Sequence, residues 1–377
     1  MRIIGAVLES SGHSRPFDKT QPLRMTELDL APPGPTELLV RMEAAGVCHS
    51  DLSVIDGSRP RTMPLLLGHE AAGTVEEIGA DVDPVLLGQR VVMTFQPRCE
   101  RCDACASEGR VPCSAGTAAN GRGELLLGGS RIRQGNRAIR HHLGVSGFAT
   151  HAVVDASSAV PVGFDVPPAV AAVLGCAVLT GGGAIINTVR PTPGDSVMIV
   201  GLGGVGMAAL ITAVAEGAGR VIAVDPHAPK LEIARGLGAH ETYTPKQLSE
   251  KAIKARYVVE CAGNTRAFTS AFAATEVGGT TVTVGLPAPT ATVDITPLTL
   301  AAEARTIVGS YLGTSVPSRD IPRFVEMWRS GRLPVESLIS SYIGLGDLNK
   351  AMDELASGVA IRQVVLFDHE SQQSVHP

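Results

Sequence analysis

The first part of the chain alternates short β-type runs of apolar residues with turns that contain glycine and proline. Residues 38–40, 73–75 and 90–93 are examples of such runs. Short strands that recur at this spacing, each bounded by turn residues, predict an antiparallel, partly barrel-like domain.

The middle of the chain has a different period. Short apolar strands are predicted at residues 197–200, 221–224, 257–259 and 281–284, with helical segments ending near residue 215 and covering 229–237 and 266–275. Strands that alternate with helices imply a parallel, doubly wound sheet. The pattern becomes mixed again towards the end, where helices at 321–329 and 347–356 precede a strand at 363–367.

One uncharged, mostly apolar stretch covers residues 169–186. Gly175 and the run from Gly181 to Gly183 interrupt it, whereas a membrane-spanning helix needs about 20 consecutive apolar residues. The stretch is therefore predicted to be a buried helix followed by a turn.

Composition narrows the function classes. A chain of 377 residues with 44% hydrophobic residues can bury about two domain cores. Its net charge of -5 argues against a nucleic-acid-binding protein, which normally has a basic balance. The first ten residues lack the basic and apolar regions of a signal peptide. Four of the seven cysteines are crowded together, which indicates metal rather than disulfides and predicts a reduced, cytoplasmic protein.

A glycine-rich loop follows the predicted strand at 197–200. Gly201, Gly203 and Gly206, with Gly204 and Val205 between the last two, fit the pattern G-x-G-x-x-G at the start of a helix. Such glycines allow a tight turn and a close approach of the backbone to a pyrophosphate, which the helix N-terminus attracts.

An acidic residue ends the next predicted strand. Asp225 lies 19 positions after Gly206, where a carboxylate accepts hydrogen bonds from an adenosine ribose and repels a 2′-phosphate. The loop and this aspartate together predict an NAD site.

Cys99, Cys102, Cys105 and Cys113 lie within one short segment. Four thiolates satisfy the tetrahedral preference of zinc, and a closed shell of this kind is a structural site. A second set is less certain from spacing: Cys48, His69 and Cys176 are far apart in sequence, and each could instead be an ordinary buried residue. Two cysteines and one histidine on a shared zinc would leave a fourth position open, as in catalytic sites.

These motifs together resemble the zinc-containing medium-chain alcohol dehydrogenases. The resemblance rests on Gly68-His69-Glu70 with residues 71–73, on the four-cysteine segment and on the glycine loop, and it covers residues 38–367. It implies an α/β protein with a GroES-like, mostly β catalytic domain, built from residues 1–177 and 309–377, and a Rossmann NAD-binding domain at 178–308. The segment 128–154 resembles the longer loop of the dimeric branch, which implies a homodimer.

The resemblance also implies residue roles at the catalytic metal. Cys48, His69 and Cys176 would hold a catalytic zinc, in addition to the structural zinc of the four-cysteine segment. Ser50 would hydrogen-bond the alkoxide of the substrate. Asp51 would orient His69, and Glu70 would lie close behind the metal.

Further roles concern the two ligands of the enzyme. Asp225 and Lys230 would hold the adenosine ribose, while His49 and Arg362 would face the pyrophosphate. The substrate channel would be lined by Phe95, His142, Leu143, Leu286 and Ile307. In this family the proton relay often ends on a histidine where this chain has Ser53, a poor base near pH 7, so that His49 or solvent would receive the proton.

The sequence thus favours an NAD-dependent enzyme that acts on primary alcohols and aldehydes. One alternative is a dehydrogenase of a formaldehyde–thiol adduct such as S-hydroxymethylglutathione, and another is an inactive NAD-binding sensor. The glutathione-dependent branch usually has acidic residues between Asp51 and Gly68, where this chain has Arg59 and Arg61. Two guanidinium groups would repel the adduct's ammonium or attract an acidic tail, unless both are simply solvated.

Overall fold

The computed structural model describes residues 1–367. Residues 368–377, the end of the predicted second catalytic segment, lie outside the described part. The strands are β1 (Arg2–Leu8), β2 (Leu23–Leu30), β3 (Glu37–Val47), β4 (Leu65–Leu66), β5 (Ala71–Ile78), β6 (Arg90–Met93), β7 (Ile132–Gln134), β8 (Arg137–His141), β9 (His151–Asp155), β10 (Ala159–Val162), β11 (Ser196–Val200), β12 (Arg220–Val224), β13 (Glu241–Tyr243), β14 (Ala255–Glu260), β15 (Thr275–Thr283), β16 (Thr306–Gly309), β17 (Ile339–Ile343) and β18 (Arg362–Leu366).

The α-helices are α1 (Phe17–Thr20), α2 (His49–Ile55), α3 (Asp103–Ala106), α4 (Ser114–Arg122), α5 (Pro168–Val173), α6 (Leu179–Gly183), α7 (Gly204–Ala215), α8 (Ala228–Gly236), α9 (Pro245–Glu250), α10 (Thr265–Ala273), α11 (Pro297–Ala302), α12 (Pro317–Arg329) and α13 (Leu348–Ala356). The π-helical segment Leu174–Val178 joins α5 to α6, and a second one, Ala184–Val189, continues α6, so that all four form one longer helix.

The β-rich part of the chain contains a closed barrel and an open sheet. Strands β1, β2, β7, β8 and β4 close the barrel, and the open sheet has the order β10-β6-β5-β3-β18-β17, with β9 also paired to β3. The predicted antiparallel, partly barrel-like arrangement is confirmed. Strand β18 pairs antiparallel with β3, so the end of the described chain completes a sheet that the N-terminal residues begin.

The second layer is a six-stranded sheet with the order β13-β12-β11-β14-β15-β16, in which every pair is parallel. The predicted doubly wound sheet is confirmed. Its order reverses between β11 and β14, and ligands bind at such a switch point, beyond the carboxyl ends of the strands. Several predicted boundaries were wrong by a few residues: the helix predicted at 266–275 ends at Ala273, because Thr275 already starts β15, and the helix predicted at 321–329 begins at Pro317.

The apolar stretch forms an uninterrupted helix over Pro168–Val189 that is long and apolar enough to cross a membrane, but its residues 169–186 are all buried in the protein. The predicted turn at residues 181–183 is wrong. A Cβ atom on Gly181 would collide with the carbonyl oxygen of Val205 on α7, and one on Gly183 with Ser315 and the backbone of Gly313. These glycines therefore allow close helix packing, and they do not end the helix.

Candidate functional site

Three distant segments bring Cys48, His69 and Cys176 together. Cys48 lies between β3 and α2, His69 follows β4, and Cys176 is in the π-helical segment of the buried helix. Their ligand atoms all lie within 4.8 Å of one another, and all three side chains are buried. Two sulfur atoms and one imidazole nitrogen that converge in an apolar core are a donor set that suits zinc, with a fourth position left for a substrate. The spacing alone could not decide whether the three share a site.

Asp51 organises this set from the first turn of α2. Its carboxylate accepts hydrogen bonds from the backbone N–H of Cys48 at 3.3 Å and of Gly68 at 3.1 Å, and its Oδ1 lies 3.1 Å from Nδ1 of His69. Burial alone would raise the pKa of Asp51, but the charge of His69, the hydrogen bond from His69 and the nearby ring of His142 lower it to about 2. The ionised carboxylate of Asp51 accepts a hydrogen bond from Nδ1–H of His69. The other ring nitrogen of His69, Nε2, then carries no proton and is free to bind metal.

Glu70 and Arg362 form a buried pair beside the same cluster. Arg362 Nη1 lies 3.4 Å from Glu70 Oε2 and donates to the carbonyl oxygen of Val47 at 2.8 Å. Neither carboxylate oxygen of Glu70 has a hydrogen-bond partner in the described residues. Burial raises the pKa of Glu70 to about 7, against the attraction of Arg362. An under-coordinated carboxylate here fits a nearby cation.

The four-cysteine segment also forms one cluster. The sulfur atoms of Cys99, Cys102, Cys105 and Cys113 lie within 4.8 Å of one another. Backbone N–H groups of Cys99 and Gly116 donate to Cys113 Sγ at 3.3 and 3.4 Å. Donors aimed at sulfur favour the thiolate form, which is the form that binds zinc. The cluster fits the predicted structural site.

The glycine loop has the backbone that a dinucleotide requires. Gly201 follows β11 with φ of +93°, and α7 begins at Gly204. A Cβ on Gly206 would collide with the carbonyl oxygen of Gly201, and one on Gly204 would fill the space next to Arg362. Val205 lies in the first turn of α7, against the buried helix. The loop leaves a cradle at the helix N-terminus that suits a pyrophosphate.

Asp225 lies beyond the end of β12, beside this loop. Its Oδ2 accepts from the backbone N–H of Leu202 at 2.8 Å, and its Oδ1 lies 2.9 Å from both the backbone nitrogen and Nδ1 of His227. Lys230 is buried nearby; burial lowers its pKa, and the charge of Asp225 opposes this shift. The sequence did not predict that His227 contacts this ribose-binding carboxylate directly.

His49 and Ser50, predicted to serve the cofactor and the substrate, occupy the first turn of α2 next to Cys48. Desolvation lowers the pKa of His49; the charge of Cys48 opposes this shift, and the charges of Arg362 and Lys230 reinforce it. The two predicted pyrophosphate residues lie in the same region, since Arg362 donates to the carbonyl oxygen of Val47, two residues before His49.

The residues predicted to line a substrate channel differ in their burial and in their position. The ring of Phe95 is 5.7 Å from that of His69, and Leu143 packs in the same core cluster as Cys48 and Cys176. Leu286 is 49% exposed, and Ile307 is half-buried on the outermost strand, β16. Their role in a channel stays a prediction.

His142 has an additional contact that the sequence did not predict. Its Nδ1 lies 3.1 Å from Oδ1 of Asp51, and its ring is 5.3 Å from that of His69. Asp51 therefore touches two imidazoles through one oxygen.

Sequence reasoning also missed Tyr311. Its ring lies 5.9 Å from that of Phe95, edge to face, so the two rings extend outward from His69. Tyrosine is scarce in this chain, with four in all, and a tyrosine in a glycine-containing loop was the available signal. Its proximity depends on a left-handed turn at Leu312 and Gly313, which no short pattern reveals.

Comparison with known proteins agrees with this geometry. Residues 34–164 match the family model described as alcohol dehydrogenase GroES-like domain, and residues 204–330 match that described as zinc-binding dehydrogenase. Geraniol dehydrogenase of Castellaniella defragrans is 36% identical over 356 residues, which are 92% of this chain and 95% of that protein. S-(hydroxymethyl)glutathione dehydrogenase of a Synechocystis species is 32% identical over 362 residues, 93% and 98% of the two chains. The crystal structure of benzyl alcohol dehydrogenase from Acinetobacter calcoaceticus is similar with a TM-score of 0.88 at 28% identity, covering 98% of this chain and all of that one.

Proposed function

Since this chain belongs to the zinc-dependent medium-chain alcohol dehydrogenase family, we propose that it transfers hydride reversibly between a primary aliphatic or aromatic alcohol and NAD. In the oxidative direction an alcohol and NAD⁺ give an aldehyde, NADH and a proton. The observation that carries the proposal is the position of Arg362. It contacts Glu70 beside the predicted zinc ligands and borders Gly204 in the nucleotide loop, so one side chain spans the two sites.

The residues of the site would have separate roles in this reaction. When bound, zinc acidifies the alcohol and the nicotinamide accepts the hydride. The metal would be held by Cys48, His69 and Cys176, and the two thiolates would partly neutralise its charge. Asp51 fixes the tautomer of His69, and Ser50 would accept the alcohol proton through a hydrogen bond.

The path of the proton beyond Ser50 lacks a strong base. Ser53 Oγ donates to the backbone carbonyl of His49 at 2.8 Å, which holds this hydroxyl against its own helix. A serine in this role offers no group that titrates near neutral pH. We therefore assign the final proton transfer to His49 or to solvent.

A panel of alcohols, with NADH absorbance as readout, tests the proposal. The zinc-loaded protein should oxidise several primary alcohols with NAD, and Cys176→Ser should abolish this turnover. An inactive NAD-binding protein would instead bind NADH in a calorimeter and turn over no alcohol in the panel.

A second candidate function is oxidation of the glutathione adduct of formaldehyde, favoured by the Synechocystis relative named above. Arg59 and Arg61 count against it, because the adduct's ammonium would meet two cations. We further propose a cytoplasmic homodimer, to be checked by sedimentation of the purified protein and by fractionation of cells.

A further inference from the structure

We propose that the alcohol or aldehyde substrate carries a carboxylate at the end remote from the reacting carbon, and that Arg59 and Arg61 bind it. This inference rests on the proposed function and specifies its substrate class. It is drawn from the two arginines, their surroundings and the row of rings that leads from them to His69.

The side chain of Arg59 is held by hydrogen bonds to the loop that follows β15. Its Nη2 donates to the carbonyl oxygens of Leu286 at 3.0 Å and Pro287 at 3.4 Å. Both partners are neutral, and no carboxylate among residues 1–367 forms an ion pair with this guanidinium. The side chain is half-buried, so its charge is partly desolvated without being compensated.

Arg61 has a guanidinium nitrogen that lacks a hydrogen-bond partner among the described residues. Arg61 is half-buried, and this atom, Nε, is shielded from solvent. Burial lowers the pKa of Arg61, and the neighbouring charge of Arg59 lowers it further. An unsatisfied donor on a charged group costs free energy unless a ligand supplies the acceptor. Two adjacent, under-compensated guanidinium groups select an anion, and their planar forks match a carboxylate.

The surroundings of Arg61 connect it to the reaction centre. Arg61 lies two residues after Arg59, which contacts the loop that follows β15. The charge of Arg61 lowers the pKa of Tyr311 and that of His142. The rings of Tyr311 and Phe95 are 5.9 Å apart, and those of Phe95 and His69 are 5.7 Å apart. A substrate that extends along these rings from the predicted metal ligands towards the arginines would need an apolar spacer between its reacting carbon and its carboxylate.

The decisive comparison uses 4-(hydroxymethyl)benzoate and its neutral isostere 4-(hydroxymethyl)benzamide. The wild-type enzyme should prefer the carboxylate by about tenfold or more in kcat/KM, mainly through a lower KM. Arg61→Gln and Arg59→Gln should each bring the ratio of the two kcat/KM values close to one, and Arg61→Lys should retain part of the preference. Arg24→Gln, at an exposed arginine elsewhere on the molecule, is the matched control and should keep the wild-type ratio.

Binding is measured separately from turnover. Calorimetry with the enzyme–NADH complex, which cannot oxidise an alcohol, gives Kd for both compounds, so the inference is tested even if the proposed reaction fails. Equal Kd values, or a preference that survives both glutamine variants, would overturn it. A kcat/KM for formaldehyde plus glutathione above that for the benzoate would assign the arginines to a glutathione adduct and overturn the proposal for a small acid. Turnover of neutral alcohols without a carboxylate preference would leave the proposed function standing and remove this inference alone.

Discussion

The carboxylate of Asp51 contacts the His69 ring, with 3.1 Å between Oδ1 and Nδ1. Asp51→Asn keeps the size of the side chain but removes the charge that orients the imidazole. We expect kcat/KM and zinc affinity to fall about 10- to 100-fold, the usual effect of losing a partner of a metal ligand. Asp81→Asn, at an exposed position, is the matched control. Unchanged zinc affinity and activity in Asp51→Asn would show that the contact does not position His69.

The two cysteine clusters predict two zinc ions per chain and two different mutant phenotypes. Cys176→Ser should abolish turnover while thermal stability changes little. Cys105→Ser should remove the other zinc and lower Tm by about 5 to 10 °C, at roughly 2–4 °C per kcal/mol for a domain of this size. Elemental analysis gives the metal content, and differential scanning calorimetry gives Tm.

Cys261→Ser is the control for both variants, because Cys261 belongs to neither cluster in the described residues. It should retain two zinc ions and wild-type activity. A reproducible content of one zinc in the wild-type protein would eliminate one of the proposed sites.

The sequence predicted the glycine loop and four of the six strands of the parallel sheet, because each has a local cause: apolar runs at sheet period, and glycines where the backbone turns. It missed the short strands β13 and β16. It failed at Gly181 to Gly183, since three glycines in a row suggest a turn. Each glycine disfavours a helix by about 1 kcal/mol relative to alanine. Here a Cβ atom at position 181 or 183 would collide with Val205 or Gly313. The packing of the helix therefore requires glycine at these positions, and the helix continues through them.

The residues of the candidate site were likewise predictable only where the cause is local in the sequence. Asp51 and Glu70 could be anticipated, since they lie within three positions of a predicted ligand and the family resemblance names them. Tyr311 could not, because only the folded chain brings its ring next to Phe95. The contact between His142 and Asp51 likewise joins α2 to the loop after β8, which are far apart in sequence.

Cofactor preference depends on Asp225. A 2′-phosphate would meet a carboxylate that already accepts hydrogen bonds from Leu202 and His227, and such a like-charge contact costs several kcal/mol. We expect kcat/KM for NAD to exceed that for NADP by about 100-fold, and Asp225→Ala to reduce this ratio sharply. Asp294→Ala, exposed in the same region of the chain, should not change it. A wild-type preference for NADP would mean that His227 or Lys230 takes the phosphate.

The proton path predicts an unusual pH dependence. Ser53→His introduces a base where the serine now donates to the carbonyl of His49. A group with a pKa near the working pH is most effective as an acceptor, so alcohol oxidation should accelerate below about pH 8. Ser58→His, on an exposed residue just beyond α2, is the control. The measurement is kcat for both proteins from pH 6 to pH 9, roughly the titration range of histidine. If Ser53→His is no faster than wild type at any pH in this range, proton release does not limit the rate.

The last prediction separates the simple alcohols from the glutathione adduct of formaldehyde. The adduct carries an ammonium group as well as two carboxylates, and the segment that the family resemblance assigns to the ammonium contains Arg59 and Arg61, with Arg59 fixed on the carbonyls of Leu286 and Pro287. Repulsion by two partly desolvated guanidinium groups should make kcat/KM for formaldehyde plus glutathione much lower than for a primary alcohol. In Arg59→Glu with Arg61→Glu the charge is reversed, so the adduct should become a better substrate relative to benzyl alcohol. Both substrates are measured under identical conditions. A strong wild-type preference for the adduct would assign the protein to the second candidate function while leaving the zinc and nicotinamide sites unaffected, because those sites rest on Cys48, His69, Cys176 and the glycine loop rather than on the arginines.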